Sequence, residues 1–535
     1  MSLNSNKTET LWFLAALTVL ILTSFFFGLG SAPLFDVDEG AFSEATREMI
    51  VSKNYLTTYL NGAPRFDKPI LIYWLQLLSV KLLGCTEFAF RLPSALAGSA
   101  WAAIIFIFVR KHTGNRQAFL ASALMVLSFQ VVVITKAAIA DALLNSFLAL
   151  TMFALLQHIT TGSKNSLLLA FAAAGFGMLT KGPIALLIPL AVSFLFYLQE
   201  GTLKKWIRIL FYPYGILLFL CIALPWYILE YKDQGMAFIE GFFFKHNISR
   251  FNTSYEGHSG SLLYYVPVLI IGMMPFTGVL FTVFLNVKKL LSDRTNRFLF
   301  IWFCFVFIFF SLSGTKLPHY VIYGYTPLFV LMTRALPLSR HPERFVIWPL
   351  MLLAILACIP YFLPIAIQKV DDVYIKAVLA GASELFGLKH ILIIIAAGVT
   401  LGIVQIIPKI STSGKLIAYG IVLSFLINMH LMPLAGQLLQ KPVKDAALMA
   451  KKEGYKIVMW DVYYPSFLLY SESFAEERAP KQGEIVLTTV NQLNTLKNPA
   501  ILYSKYGIVL AKLTRLIPDY EAFIRHTGHE CGRKH

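Results

Sequence analysis

PILIYWLQLLSVKLLG, residues 69–84, is apolar enough to enter a membrane but short for a segment that crosses one. At about 1.5 Å of rise per residue it falls short of the roughly 30 Å hydrocarbon layer as a helix. It reads as an amphipathic helix lying at the interface. The choice matters because a sixteen-residue crossing here would move every later loop to the other side. Around it run stretches of spanning length: 11–30, 91–109, 117–135, 142–159, 166–180, 183–199, 209–229, 262–286, 298–314, 320–337, 346–366, 390–407 and 416–435. With 69–84 at the interface and the N-terminus cytoplasmic, the inner segments hold Lys7; Arg110, Lys111 and Arg116; Lys164; Lys204, Lys205 and Arg208; Lys288, Lys289, Arg294 and Arg297; Arg334, Arg340 and Arg344; Lys409 and Lys415. Those seventeen basic residues satisfy the positive-inside rule, which fails throughout if 69–84 crosses. The expectation is an all-α polytopic membrane protein of about thirteen spans, N-terminus in and C-terminus out.

Composition agrees. Of 535 residues 57% are hydrophobic and 14% charged, against about 25% charged in soluble domains. That excludes a soluble multidomain protein and a disordered one. The net charge of +17 lies in short clusters between apolar runs, so nucleic acid is not the expected partner. Five cysteines, with no close pairs, form neither a disulfide framework nor a zinc ribbon. The first run, from Leu11 to Leu29, is longer than a signal-peptide core and reads as an anchor. Segments 31–90 and 230–261 and the tail face outward. The tail regains charge, and KIVMW 456–460, EIVLTTV 484–490 and AILYSKYGIVLAKL 500–513 read as strands among helices. Two domains are expected: a membrane part, 1–435, whose outer loops form the site, and a small outward α/β domain, 436–535.

The outer segments gather ionisable residues. FDVDEGAFSEATREM (35–49) carries Asp36, Asp38, Glu39, Glu44, Arg47 and Glu48, and NGAPRFDKPILIYW (61–74) carries Arg65, Asp67 and Lys68. Asp141 and Lys181 sit at the outer ends of spans. IEGFFFKHNISRFNTSYEGH (239–258) holds Glu240, Lys245, His246, Arg250 and His258, and GTKLPHYVIYGYTP (314–327) holds Lys316, His319 and Tyr320. Taken singly, a Lys or Arg at a span end snorkels to headgroups, and Asp38 or Glu39 caps a helix. Asp141 resists such a reading, because an acid beside a span is costly. Together, separated carboxylates, cations and a His at one face suit a reaction on an anionic lipid headgroup. Cations stabilise a phosphate, and a carboxylate deprotonates a hydroxyl or orients a positive substrate. A carboxylate with a His is also a divalent-metal pair. A transporter or flippase, the competing class, would place its charges near the midplane on repeated halves. Span interiors here are nearly free of charge and no repeat is visible. No cytoplasmic loop combines a Gly-rich phosphate loop with a strand and helix, so no nucleotide cofactor is expected.

The ordered set FDVDEGAFSEATREM, FDKPILIYWL, RLPSALAG, ADALL, TKGP, KHNISRF and GTKLPHYVIYGYTPL resembles the bacterial polyprenyl-phosphate-dependent transferases typified by the lipid A 4-amino-4-deoxy-L-arabinose transferases. More distantly it resembles protein O-mannosyltransferases. The resemblance covers about residues 11–435 and implies a GT-C fold, an undecaprenyl-phosphate sugar donor and inversion at the anomeric carbon. It places Asp38, Asp141 and Lys68 in the catalytic centre. Lys181, His246, Arg250, Tyr320 and Glu39 fall to donor-phosphate or substrate binding. Asp67 and His246 are implied as ligands of a divalent metal, zinc being the favoured ion. The implied acceptor is lipid A phosphate or a related periplasmic group. Transfer of a hexose or galactosamine to lipid A, O-antigen, core or a protein hydroxyl is the alternative. The protein is expected in a bacterial inner membrane, acting as a monomer with its site and tail periplasmic. One departure stands out: the aminoarabinose transferases read Asp-Glu-Ala-Arg-Tyr where this chain has Asp38-Glu39-Gly40-Ala41-Phe42.

Overall fold

A computed structural model describes residues 2–249, 260–493, 495–496 and 499–513. Each of the thirteen expected spans coincides with a helix or a broken pair. Among the described residues, nine helices are long and apolar enough to cross a membrane. A tenth span forms if Asn115–Val126 and Phe129–Thr135, bent by 70°, are counted together. The other three differ for local reasons. Lys164–Lys181 is built of small residues: Gly175 lies against Ile222 and Gly177 against Ala185, the close approach that small residues permit between spans. Ile184–Gln199 is short, and 262–286 is divided into Tyr265–Gly272 and Thr277–Leu285. This division meets the bent pair, where the Phe129 amide donates to the Met274 carbonyl at 2.9 Å and is satisfied despite the break.

Segments assigned to one side bond with one another. Arg294 pairs with Glu200 at 2.5 Å, Arg334 with Asp293 at 3.0 Å, and Gln405 donates to the Glu343 carbonyl. From the other set, Thr57 bonds Glu230, Lys181 bonds Asp141, and Arg91 bonds Glu39. The stretch around 69–84 forms the helix Leu71–Leu83, which buries Ile72, Tyr73 and Gln76 and exposes Leu78, Leu82 and Leu83. Apolar residues facing away from the protein are what an interfacial helix presents to lipid.

The tail folds into a five-stranded mixed sheet ordered Glu476–Glu477, Ile457–Met459, Ile485–Thr489, Ile508–Lys512, Ala500–Lys505. The first three strands are parallel and the last two join antiparallel. Tyr506 and Gly507, at φ 45° and 88°, make the two-residue turn of the final hairpin, whose right-handed twist requires positive φ at both positions. Helices Lys441–Glu453 and Pro465–Ser471 cover one face through Val443, Ala446, Ala447, Ala450, Phe467 and Leu468. The connection to the membrane part is no linker. One helical run, Thr412–Glu453, passes through the expected boundary at 435/436 with π-helical turns at Ile427–Leu431 and Gly436–Gln440.

Candidate active site

Asp38 and Glu39 open the helix Asp38–Ser52, where acids complement the helix dipole. Their roles separate at once. Asp38 is exposed, whereas Glu39 is 4% exposed and fully engaged. Glu39 Oε1 accepts from Arg91 Nε and the Ala138 amide, and Oε2 from Arg91 Nη2 and the Phe35 amide, all at 2.7–2.8 Å. Arg91 donates its remaining hydrogens to the carbonyls of Leu29, Ala32 and Pro33, so all five of its donors are used. Glu39, expected among the substrate-binding residues, is therefore a buried anchor. It ties the loop before Asp38 to the turn before Asp141. The sequence presented it as one more outer-loop acid, and its partner Arg91 lies fifty-two residues away.

Asp141 begins the helix Asp141–Thr161, and Lys181 ends Lys164–Lys181, so each charge faces the helix end it complements. Lys181 Nζ donates to Asp141 Oδ1 at 2.7 Å and to the Tyr323 hydroxyl at 2.6 Å, and that hydroxyl donates to Asp141 Oδ1 at 2.6 Å. His319 Nε2 stands 3.9 Å from the same carboxylate oxygen. The Lys181 ammonium also lies 5.7 Å from the Tyr320 ring centre. Gly182, at φ 74°, closes the helix where a Cβ would strike Phe242 at 2.5 Å. Turn and packing together demand glycine there.

A second cluster forms on the first outer loop. Arg65 pairs with Asp67 Oδ2 at 3.1 Å, donates to the Tyr73 hydroxyl at 2.7 Å and to the Ala41 carbonyl, and lies over the Phe42 ring at 5.1 Å. Lys68 Nζ donates to the Asp67 carbonyl at 3.0 Å. Burial pushes the Tyr73 hydroxyl up to about 12, and against its own burial the Arg65 guanidinium is held charged by the Asp67 and Asp38 carboxylates. The two clusters meet at His319, which interacts electrostatically with Asp141, Lys181, Asp38 and Lys68.

Asp38, Asp67, Lys68, Asp141, Lys181 and Tyr320 are thus brought to one region. His319 and Arg65 stand in the sequence motifs without a role assigned to them, and nothing in the sequence singles out Tyr323 beyond its spacing. A Tyr three residues after Tyr320, in the 3-10 turn Pro318–Gly324, is that one signal. The side chain of His246, and Arg250 altogether, lie outside the described residues. Among the described residues no group of three or more His, Cys, Asp or Glu gathers as a metal site. Asp67 Oδ2 accepts from the Arg65 guanidinium at 3.1 Å, and the side chain of His246, the other implied ligand, lies outside the described residues.

Two acids beside this region are set by burial. Asp36, bonded to Ser466, and Glu44, bonded to Arg47, are each pushed up to about 7 by loss of water. Raised carboxyl values mean that the folded chain holds these protons more tightly than the unfolded one. Their stabilising contribution is full below the ordinary carboxylate range and is lost as pH rises through about 7. The unfolding temperature of the purified protein in detergent should fall between pH 5 and 8, and by less in Glu44→Gln than in wild type. Equal slopes would exclude Glu44 as a source.

Residues 67–228 match the family described as dolichyl-phosphate-mannose-protein mannosyltransferase. The undecaprenyl phosphate-alpha-4-amino-4-deoxy-L-arabinose arabinosyl transferase 2 of Proteus mirabilis (strain HI4320) is 30% identical over 327 residues, covering 59% of this chain and 58% of that protein. The match thus spans less than two thirds of that relative's length. An uncharacterised protein of Aquifex aeolicus (strain VF5) is 29% identical over 308 residues, 58% of this chain and 69% of that protein. The crystal structure of ArnT from Cupriavidus metallidurans bound to undecaprenyl phosphate superimposes with a TM-score of 0.78 at 19% identity, covering 94% of this chain and 97% of that one. The chain thus shares the fold of that ArnT, a multi-pass membrane architecture, and over part of its length it is similar in sequence to the arabinosyl transferase and to the mannosyltransferase family model.

Proposed function

We propose that this chain is an inverting glycosyltransferase of a bacterial inner membrane. In this reading it moves a sugar, 4-amino-4-deoxy-L-arabinose in the first instance, from undecaprenyl phosphate to lipid A phosphate at the periplasmic face. The observation that carries it is the buried Asp141–Lys181–Tyr323 group facing Asp38, Arg65 and Lys68 across His319. Cations gathered in one region suit a departing lipid phosphate, and carboxylates suit a sugar amine or an attacking hydroxyl.

In the reaction an acceptor oxygen bonds the anomeric carbon from the face opposite the leaving group. The bond from that carbon to the phosphate oxygen breaks, and its electron pair goes to the polyprenyl phosphate. Lys181 gives two of its three hydrogens to Asp141 and Tyr323, which leaves one for the donor phosphate in this reading. Lys68 adds charge to the same phosphate, with Arg250 assigned there by resemblance. A phosphate acceptor is already ionised and needs no base, so Asp38 and Asp141 then orient the sugar. With a hydroxyl acceptor, Asp38 takes the proton. The implied divalent ion would have Asp67 and His246 as candidate ligands and would neutralise the same charge. The steps above use the protein's own cations. On the metal reading chelation slows turnover and zinc restores it; full activity in chelator, with no metal recovered, would leave the cations alone at the phosphate.

A second reading is favoured by Ala41, which stands where the aminoarabinose transferases carry Arg. It is transfer of a hexose or galactosamine to lipid A, O-antigen, core or a protein hydroxyl. Mass spectrometry of lipid A from cells with and without the protein separates the two. Purified protein should consume polyprenyl-phosphate sugars and leave nucleotide sugars untouched. Efficient turnover of a UDP-sugar would overturn both readings.

A further inference from the structure

Asp36 precedes the candidate catalytic Asp38 by two residues, and its carboxylate is held by the tail. The Ser466 amide donates to Asp36 Oδ1 at 2.9 Å, and the Ser466 hydroxyl donates to Oδ2 in a shorter contact. Both oxygens are therefore taken by one residue 430 positions away. The approach is so close that a Cβ on Gly40 would lie 2.1 Å from Asp36 Oδ1 and 2.6 Å from the Ser466 nitrogen. Further contacts fix the same junction. The Leu34 amide donates to the Tyr470 hydroxyl at 2.8 Å, and that hydroxyl donates to Glu87, which also pairs with Lys444. Asn61 exchanges two hydrogen bonds with the Ala475 backbone, at 2.7 and 3.1 Å. Tyr463, on the turn leading to Ser466, lies within electrostatic range of Arg65, Asp67 and Asp36.

We propose that Asp36 and Ser466 form a latch through which the C-terminal layer positions the Asp38 loop for turnover, both being positioning residues. This rests on the reading of Asp38 given above. Asp38, exposed in the first turn of its helix, has several side-chain conformations open to it. The latch selects one of them, and loss of an ångström in the placement of a reacting group costs roughly tenfold to a hundredfold in rate.

The test is a set of purified variants assayed with a polyprenyl-phosphate sugar. Ser466→Ala removes the hydroxyl and keeps the amide, and Asp36→Asn removes the charge. Gly40→Ala forces the two apart, although alanine is the better helix former and bare propensity would make that change stabilising. Ser466→Ala and Asp36→Asn should each lower kcat roughly tenfold or more with donor KM and unfolding temperature little changed, whereas Gly40→Ala, crowding the Ser466 backbone nitrogen, should lower kcat and unfolding temperature together. Asp36→Asn combined with Ser466→Ala should be no slower than either alone. Amides 34–40 should exchange hydrogen faster in each variant. Wild-type kcat in all three single variants beside an inactive Asp38→Asn would overturn the latch and leave the proposed function standing. A fully active Asp38→Asn would remove the premise itself. A fall in kcat matched by a fall in unfolding temperature in Ser466→Ala and Asp36→Asn would reduce the contact to a structural joint and overturn the positioning role.

Discussion

Asp38→Asn leaves a protein that expresses, folds and melts like wild type and does not transfer sugar. The fold-change expected in kcat is about a hundred to ten thousand, the span usual for a positioned acid or base. The separation of activity from stability follows from position. Asp38 is exposed in the first turn of its helix, and surface substitutions away from buried networks usually change stability by less than about 0.5 kcal/mol. Its neighbour is the control: Glu39 is buried on Arg91, so changing it should cost folding first. A folded Asp38→Asn turning over at the wild-type rate would take Asp38 out of the mechanism.

Lys181→Met has the opposite signature, in which activity and stability fall together. Asp141 is 3% exposed and takes its charge partner from Lys181 at 2.7 Å, so the single change leaves a carboxylate buried beside Tyr323 without its cation. Breaking one side of a buried pair costs about 3–5 kcal/mol, whereas replacing both partners is often close to neutral. Pairing Lys181→Met with Asp141→Asn should therefore recover most of the unfolding temperature and none of the turnover. Recovery of turnover in the double variant would show that the pair builds the fold and takes no part in the chemistry.

The sequence made some of this plain and hid the rest, for identifiable reasons. Span positions were legible because twenty apolar residues cannot be hidden, and the two-sided partition because basic residues cluster at alternate ends. Strands 457–459 and 485–489 and the final hairpin were legible from short β-rich runs between charges. What failed to show was partnership. Glu39 and Asp38 are adjacent and chemically alike, yet one binds Arg91 and the other faces outward. No local pattern distinguishes them, because the difference is made by a residue on another helix. Tyr323 was passed over for a related reason: Tyr320 and Tyr323 share a short turn, and which hydroxyl reaches Asp141 depends on packing between spans. Divided spans such as 262–286 likewise carry continuous hydrophobicity across a change of direction.

The unbroken passage of Thr412–Glu453 from the bilayer into the sheet-bearing tail makes the tail's orientation a question of helical phase. A residue inserted between the π-turn ending at Gln440 and Glu453 would turn everything beyond it by about 100° and lift it by about 1.5 Å. Ser466 would then swing away from Asp36. Two extra turns restore the phase but not the height. Hybrids that graft the tail of one homologue onto the spans of another are thus geared rather than tethered. The tolerant joint is the exposed Gly454, at φ 65°, where the helix has already ended.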